Sequence, residues 1–186
     1  MELIIFVLIG INVVAYFIPY LINFSGKYGD SFTNFLALGW KSNPEIRDGE
    51  YYRLLTSMFL HGDFFHLLFN MYSLYQIGPA IINLFKPSGF AIVYFVSGIV
   101  GSLLSYFFNS NPSVGASGAI FGLVGALGAV AIVTQNYGLL INIFLILVIN
   151  FLYALDPIHR IDNFGHLGGL VTGFLLGFIL IFTRAL

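Results

Sequence analysis

The stretch Gly115-Ala116-Ser117-Gly118 lies where a polar loop, Asn109-Ser110-Asn111-Pro112, gives way to a long apolar run spaced by glycines. Because Asn and Pro end one element and the apolar run begins the next, Ser117 is predicted to lie at the start of a helix. A serine at such a position is most often an N-cap, whose hydroxyl accepts a hydrogen bond from a backbone N–H two or three residues later. The small residues around Ser117 would also let a substrate backbone approach, so a nucleophile is the second interpretation.

The composition is that of a membrane protein. Of the 186 residues, 59% are hydrophobic and 8% are charged, with a mean hydropathy of +0.94, whereas a soluble domain has about 25% charged residues. The net charge of −1 points to neither nucleic acid nor an anionic substrate. The absence of cysteine excludes disulfides, a thiolate nucleophile and a thiolate metal site. We therefore expect an integral membrane protein of the all-α class.

Apolar stretches long enough to cross a bilayer, roughly 20 residues each, occur six times along the chain. They cover residues 3–24, 63–85, 89–108, 117–134, 139–155 and 165–183, with a tight turn expected at 135–138. The first run lacks the basic start of a secretory signal and is longer than its apolar part, so we expect it to be retained. The sequence thus predicts a polytopic bundle of six transmembrane helices, forming a single domain over residues 1–186 with no soluble domain attached.

The long first loop is predicted to be partly membrane-associated. Aromatic residues such as Trp40 settle at the level of the lipid headgroups. An apolar group could lie on the membrane as a short interfacial helix, and it consists of Phe32, Phe35, Leu36 and Leu38.

The order of the spans brings the polar residues of three helices to one side. Spans 2, 4 and 6 all start from the same membrane face, and their polar residues cluster at those starts: His66 and Asn70, Ser117, and His166. A polar or ionisable residue inside the membrane is costly, which makes it a candidate for a functional site.

Two glycine stripes predict that spans 4 and 6 pack together, because small residues at this spacing let helix backbones approach closely. Ser117 starts the first stripe, and His166 lies one residue into the second. If the stripes face each other, the hydroxyl and the imidazole come within roughly 3 Å. The stripes are Gly118, Gly122, Gly125 and Gly128 in span 4, and Gly165, Gly169, Gly173 and Gly177 in span 6.

Ser117 and His166 would form a catalytic dyad, because histidine is the usual base that activates a serine hydroxyl. No Asp or Glu lies inside the last three spans, so no carboxylate triad is proposed. Asp162 and Asn163 could hydrogen-bond only from the preceding loop. Phe121, one helical turn after Ser117, could pack on the His166 ring and fix its orientation.

An acyl-transfer serine also needs hydrogen-bond donors for the developing oxyanion. His66 and Asn70 lie four residues apart on one helix face and could provide them, together with the Ser117 N–H. The same two residues could instead be a polar pair that joins helices, and His61 is expected to be interfacial or supporting. A zinc site would draw three ligands from His61, His66, His159 and His166. No HExxH motif occurs and no carboxylate is spaced with these histidines, so we expect no metal or cofactor.

Three motifs on spans 2, 4 and 6 together resemble the rhomboid family of intramembrane serine proteases. They are His61-Gly62-Asp63-Phe64-Phe65-His66-Leu67-Leu68-Phe69-Asn70-Met71, Gly115-Ala116-Ser117-Gly118-Ala119-Ile120-Phe121-Gly122 and Gly165-His166-Leu167-Gly168-Gly169. The resemblance covers residues from about 50 to 182. It implies a rhomboid-like bundle that hydrolyses peptide bonds in or near transmembrane segments of single-pass or polytopic membrane proteins, through a Ser–His dyad and an acyl-enzyme.

Site roles follow from the same resemblance. Ser117 corresponds to the nucleophile and His166 to the general base, while His66, Asn70 and the Ser117 N–H correspond to the oxyanion hole. Gly115 and Gly118 give clearance for a substrate backbone.

Two positions depart from the family pattern. Arg53 corresponds to the arginine of a Trp-Arg loop motif with a structural role, but Tyr52 stands where the family usually has Trp. Phe121 stands where some members have Tyr, so ring stacking is retained and a phenolic hydrogen bond is not.

The minimal six-span form resembles prokaryotic members, which implies a cell (inner) membrane location with cytoplasmic termini and an active site that opens to the outside. The positive-inside rule favours the opposite orientation. The first, third and fifth loops contain Lys27, Lys41, Arg47, Arg53 and Arg160, and the opposite face contains Lys86 and Arg184.

Two other classes of protein remain as alternatives. An inactive rhomboid-like scaffold or chaperone would bind client helices, but inactive relatives lose the Ser or the His, and this chain has both. A channel or transporter would show internal repeats or paired interrupted helices, and the sequence has neither. For a protease, a substrate helix must unwind before cleavage, which favours helix-destabilising residues. Span 5, which has no glycine stripe, is the expected gate.

Overall fold

The computed structural model describes residues 2–154 and 161–183, and all the regular structure within them is helical. The exception is an isolated antiparallel bridge between Lys41 and Ser113. The predicted all-α class is thus confirmed for the part of the chain that the structure describes. The helices are α1 (Leu3–Leu21), α2 (Ser31–Ala37), α3 (Asn43–Arg47), α4 (Arg53–Thr56), a 3₁₀ turn (Ser57–Phe59), α5 (Phe64–Phe108), α6 (Ser117–Val133), α7 (Tyr137–Ala154) and α8 (Asn163–Thr183).

α5 is a helical hairpin made of two arms. Its 45 residues contain one non-helical position, Lys86, with φ 56° and ψ 171°. Proline disfavours the helical conformation of the residue before it, and Pro87 follows Lys86. A Cβ atom on Gly78 would lie 3.5 Å from the ring of Phe90, although 12 residues of straight helix would separate these positions by about 18 Å. The chain therefore folds back at Lys86, between the predicted second and third spans.

The lengths of the helices can be compared with the predicted number of six membrane crossings. Among the described residues, α1, α5 and α8 are long and apolar enough to cross a membrane, whereas α6 and α7 are shorter apolar helices. The hairpin in α5 fits two of the predicted spans. The count of six spans stays a prediction.

Two helices begin earlier than predicted because a side chain caps them. The predicted turn at 135–138 is wrong in its second half, because α7 begins at Tyr137 and Asn136 Oδ1 accepts a hydrogen bond from the Leu139 N–H at 3.0 Å. α8 begins at Asn163 rather than at residue 165, because the carboxylate of Asp162 caps it.

Two further helix ends fall short of their predicted positions, and a third falls outside the description. α1 ends at Leu21 rather than at residue 24, since Ile22 is extended. α6 ends at Val133, one residue early. The predicted end of span 5, residue 155, lies outside the described residues.

The first loop contains the predicted short helix, α2. Asp30 caps it by accepting a hydrogen bond from the Thr33 N–H at 2.8 Å. Phe32 packs on α1 and not outward, with its ring centroid 5.4 Å from that of Tyr16. Leu38 is exposed. Membrane association of this loop stays a prediction, now with fewer apolar side chains available for it.

α6 is the core helix, buried on most sides between the α5 hairpin and α8. The predicted packing of the two glycine stripes is confirmed. A Cβ atom on Gly169 would meet the carbonyl of Gly118, and one on Gly173 would meet the carbonyl of Gly122. Only glycine allows this approach, because any side chain would push the two backbones apart. The start of α8 is thereby fixed beside the start of α6.

Candidate active site

Ser117 is the first residue of α6, and its Oγ atom lies 2.8 Å from His166 Nε2. The N-cap position belongs to Ala116, and no side chain caps this helix. The interpretation of the Ser117 hydroxyl as a helix cap is therefore wrong, because Ser117 already lies inside the helix, one position after the cap. The Ser117 N–H belongs to the first turn, where helix N–H groups lack a carbonyl partner in the helix.

His166 is held by its own helix and by an aromatic neighbour. It lies in the first turn of α8, where its backbone N–H donates to the carbonyl of Asp162 at 3.0 Å. The Phe121 ring is stacked on the imidazole with a centroid distance of 4.3 Å and an interplanar angle of 12°. The predicted stacking of these two rings is therefore present. It fixes the imidazole plane while Nε2 remains directed at Ser117.

Gly115 separates the Ser117 hydroxyl from the His66 ring. Its φ of +127° is a conformation that L side chains rarely adopt. A Cβ atom here would lie 2.7 Å from His66 Nε2 and 3.7 Å from Ser117 Oγ. His66 Nε2 and Ser117 Oγ thus both face the space that a side chain on Gly115 would occupy.

Asn70 lies one turn after His66 in α5 and is 6% exposed. Its Nδ2 atom donates to the carbonyl oxygen of His66 at 2.9 Å. The expected pairing of the two residues therefore involves the His66 backbone rather than its ring. A primary amide has two N–H donors, so one remains for a ligand.

His61 is buried in the protein, with an exposed fraction of 1%, and its predicted role as an interfacial or supporting residue stays a prediction. Its ring packs edge-on against the His66 ring at 5.0 Å and 69°. Neither ring nitrogen has a hydrogen-bond partner within the described residues. Burial, with a smaller contribution from His66, lowers the pKa of His61 to about 3, so this imidazole is neutral at physiological pH. It supports the orientation of His66 by packing.

A zinc site gains no support from the described residues, which contain no group of three potential ligands. His159, one of the four histidines considered, lies outside them.

Arg53 and Tyr52 organise the first loop. The Arg53 guanidinium donates to the carbonyls of Ala37 at 2.8 Å and Trp40 at 3.2 Å, and it pairs with Glu50 at 2.6 Å. The Tyr52 hydroxyl donates to Glu50 Oε2 at 2.6 Å, and these donors, Tyr52 first, hold the pKa of Glu50 below its usual value. Tyr52, at the position where the family usually has Trp, is therefore hydrogen-bonded to the ion pair of Arg53 and Glu50.

Asp162 does not hydrogen-bond the His166 ring within the described part of the chain. Its carboxylate accepts from Ser105 Oγ and from the Gly165 N–H, the latter at 3.1 Å. Burial favours a raised pKa for Asp162, but the hydrogen bonds from Ser105, Ser113 and Gly165 outweigh it and leave the pKa below its ordinary value. Asp162 therefore acts on the site as a charged helix cap.

Polar residues that sequence reasoning missed lie behind the dyad. Lys41 is fully buried and contacts the loop before Ser117, yet nothing in its local sequence marks it. A cavity of about 30 Å³, room for about one water molecule, adjoins the dyad. Its polar side chains are Ser57, Ser102, Ser113, Asp162, Ser117 and His166.

The chain is similar to known proteins of one family. A family model described as the rhomboid domain matches residues 48–182. The rhomboid protease GluP of Bacillus subtilis (strain 168) is 42% identical over 142 residues, which are 75% of this chain and 28% of that protein. RHOMBOID-like protein 1 of Arabidopsis thaliana is 41% identical over 140 residues, 72% of this chain and 36% of that protein. The inactive RHOMBOID-like protein 8 of the same plant is 41% identical over 144 residues, 73% of this chain and 39% of that protein. The match thus spans well under two thirds of each relative.

Proposed function

Because the chain belongs to the rhomboid family, we propose that it is an intramembrane serine endopeptidase that hydrolyses peptide bonds in or near transmembrane segments of other membrane proteins. The observation that carries this proposal is the 2.8 Å hydrogen bond between Ser117 Oγ and His166 Nε2. A nucleophile within hydrogen-bond reach of a base that a third group orients is the signature of covalent catalysis. Here Phe121 orients the base.

In the first half-reaction, Ser117 Oγ attacks the scissile carbonyl carbon. His166 Nε2 accepts the hydroxyl proton, which requires the neutral tautomer with its proton on Nδ1. The tetrahedral intermediate then collapses, and the leaving amine takes the proton back from Nε2. The product of this step is an ester between Ser117 and the substrate.

The oxyanion of the tetrahedral intermediate needs donors near Gly115. The His66 ring and Ser117 Oγ border this position, the Ser117 N–H belongs to the first turn of α6, and Asn70 has one uncommitted N–H. Preorganised donors of this kind contribute a large share of the rate in acyl transfer, about 100-fold to 1000-fold for a single donor. Gly115 leaves the backbone open to the substrate carbonyl. The expected clearance at Gly118 is not present, because Gly118 packs on α8, where a Cβ atom would lie 3.3 Å from the carbonyl oxygen of Gly165.

Hydrolysis of the ester needs water at the depth of Ser117. The 17 residues of α6 correspond to about 26 Å, less than the hydrocarbon thickness of about 30 Å, which favours a Ser117 that lies below the membrane surface. The polar cavity beside the dyad is a suitable reservoir for the attacking water. No cofactor or metal is needed for either half-reaction.

Access for a substrate helix is proposed between α7 and the rest of the bundle. α7 contacts mainly α6, through Ile143 against Val124 and Ala131, and Ile141 and Phe144 beside it are exposed. A substrate segment must then unwind before its carbonyl reaches Ser117, so segments with Gly or Pro are the favoured substrates.

The second candidate function is a catalytically inactive rhomboid-like scaffold or chaperone that binds client helices. Sequence identity does not separate the two functions, because the relative named a protease is 42% identical and the relative named inactive is 41% identical. The hydrogen-bonded Ser117 and His166 favour the protease.

The chain is an integral membrane protein. We further propose a prokaryotic inner-membrane location, cytoplasmic termini and an active site that opens to the extracytoplasmic side.

The test is labelling with a fluorophosphonate, together with cleavage of a model transmembrane substrate that contains a Gly-Pro segment. Wild type and Ser110→Ala, which alters an exposed serine of the same loop, should label and cleave alike. Ser117→Ala should do neither, and His166→Ala should lose at least about 1000-fold in rate. If wild type showed no Ser117-dependent labelling, the inactive scaffold would become the favoured function.

A further inference from the structure

The loop before the nucleophile is held by a buried cation from a distant part of the chain. Lys41, in the first loop, has an exposed fraction of 0%. We propose that Lys41 is a positioning residue: its ammonium group holds the segment 109–113 in the conformation that presents Ser117 to His166. The consequence for catalysis rests on the proposed function.

All three donors of the ammonium group are used. Nζ donates to the carbonyl of Asn109 at 2.7 Å, to the carbonyl of Asn111 at 2.8 Å and to Asn43 Oδ1 at 3.2 Å. A charged lysine has three N–H donors, one for each acceptor. A neutral methylene chain at this position would leave two backbone carbonyls without this partner, which is strongly unfavourable away from water.

The Lys41 backbone also binds this segment, at Ser113, which is nearer to Ser117 along the chain than Asn109 and Asn111 are. Its N–H donates to the Ser113 carbonyl at 2.9 Å, and its carbonyl accepts from the Ser113 N–H at 3.0 Å. The Gly115 N–H then donates to the carbonyl of Ser57 at 2.9 Å. Residues 109, 111, 113 and 115 are therefore each bonded to the first loop and its 3₁₀ turn, and Ser117 follows directly.

Asp162 provides a negative charge near this segment. Its carboxylate binds Ser105 Oγ, which lies 3.5 Å from Ser113 Oγ. Burial lowers the pKa of Lys41, and the charge of Asp162 opposes this change. The segment thus binds a buried cation through its carbonyls, and it is linked through Ser113 and Ser105 to the carboxylate that caps α8, the helix that carries His166. Displacement of the segment would change the Ser117–His166 distance, and a misplacement of about 1 Å costs about 100-fold in rate.

The first experiment compares Lys41→Met with Lys27→Met, which removes an exposed lysine of the same loop. We expect Lys41→Met to lower kcat for the model substrate and the rate of fluorophosphonate labelling by about 10-fold to 100-fold, with KM changed less than twofold. Lys27→Met should match wild type. A kcat for folded Lys41→Met within twofold of wild type would overturn the proposal, and so would a loss confined to KM.

The second experiment restores the charge chemically. The chain has no cysteine, so Lys41→Cys has a single thiol. Alkylation in denaturant with 2-bromoethylamine gives a close analogue of lysine, and 1-iodopropane gives a neutral side chain of the same length. After return to detergent, with wild type treated identically as the refolding control, the aminoethyl form should regain at least half of the wild-type kcat and the propyl form should not. Equal recovery of both forms, or of neither while wild type recovers, would overturn the proposal.

A third measurement separates this proposal from the proposed function. Amide hydrogen exchange of a peptide that covers residues 109–117 should become at least about tenfold faster in Lys41→Met and stay unchanged in Lys27→Met, whether or not wild type is active. Unchanged exchange in Lys41→Met would overturn the proposed role of Lys41. Absence of labelling in wild type would count against the protease function alone.

Discussion

Gly115 is the residue at which backbone conformation and site geometry are most tightly linked. Its φ of +127° disfavours any side chain, and a Cβ atom would lie 2.7 Å from His66 Nε2. We expect Gly115→Ala to lower the fluorophosphonate labelling rate by about 100-fold, because both the oxyanion region and Ser117 would shift.

Gly49 provides the matched control for this substitution. It also has a positive φ, +102°, but a Cβ atom there would meet no other described residue within 4 Å beyond its chain neighbours. Gly49→Ala therefore introduces strain without a contact at the site, and it should keep a labelling rate within about threefold of wild type. Equal losses in the two variants would mean that backbone strain, and not the contact with His66, is responsible.

The buried carboxylate of Asp162 makes stability depend on pH. Its pKa is lowered in the folded protein, so its stabilisation is present above the unfolded pKa, about 3.9, and is lost as pH falls through the folded value. We expect Asp162→Asn to be less stable than wild type at pH 7, and the difference in thermal midpoint should shrink below about pH 4. Asp48→Asn, at an exposed position, should have the wild-type midpoint at pH 7. A difference for Asp162→Asn that is constant from pH 7 to pH 3 would contradict this assignment.

At the scale of single residues, the spacing along the sequence is sufficient to predict that some of the site residues lie close together. Ser117 starts one glycine stripe, His166 lies one residue into the other, and Phe121 follows Ser117 by one turn, so their proximity could be predicted from helix periodicity. Lys41 and Asp162 could not be predicted in this way. Their partners Asn109 and Ser105 are 68 and 57 residues away along the chain, and only the fold brings them together.

Between elements, the contact of α6 with α8 sets the distance between the two proposed catalytic side chains. A Cβ atom on Gly173 would meet the carbonyl of Gly122, whereas one on Gly128 would make ordinary contact with the Phe174 ring at 3.6 Å. We expect Gly173→Ala to destabilise the protein by about 1–3 kcal/mol through overpacking and to slow labelling of Ser117. The measurements are thermal unfolding in detergent and fluorophosphonate labelling.

Gly128→Ala is the control within the same helix pair. It should be neutral or stabilising by up to about 1 kcal/mol, because alanine is the better helix former. If Gly173→Ala were as stable and as active as Gly128→Ala, the close approach of α6 and α8 would not be required.

The helices themselves were predictable because each is a long apolar run, but their ends were not. Asp162 and Asn136 extend α8 and α7 by capping them, and these bonds depend on side-chain geometry that periodicity does not describe. The break at Lys86 was predictable, since proline restricts the residue before it. Two additional short helices in the first loop, α3 and α4, carry no apolar period that would have indicated them.

For the whole molecule, the structure changes how the basic residues bear on orientation. Lys41 binds backbone carbonyls of the loop before Ser117, and Arg53 binds a backbone carbonyl and Glu50 within the first loop. The fold therefore explains the presence of these two residues without reference to membrane orientation. When Lys41 and Arg53 are left out of the count, three basic residues remain on the face of the first loop and two on the opposite face. They are Lys27, Arg47 and Arg160 on the first face, and Lys86 and Arg184 on the other. An excess of one residue is too small for the positive-inside rule to outweigh the orientation implied by the family.

We therefore predict that the first loop lies outside the cytoplasm, and single cysteines can test this because the chain has none. Asp48→Cys is exposed in the first loop, and Ser88→Cys is exposed beside the break in α5 at the opposite end of the helices. A membrane-impermeant maleimide added to intact cells should label Asp48→Cys at least tenfold more than Ser88→Cys, and permeabilised cells should label both. Each variant must still react with a fluorophosphonate, which shows that the labelled molecules are folded. The reverse pattern in intact cells would put the Ser117 site on the cytoplasmic face, and the distribution of basic residues would then have been the better guide.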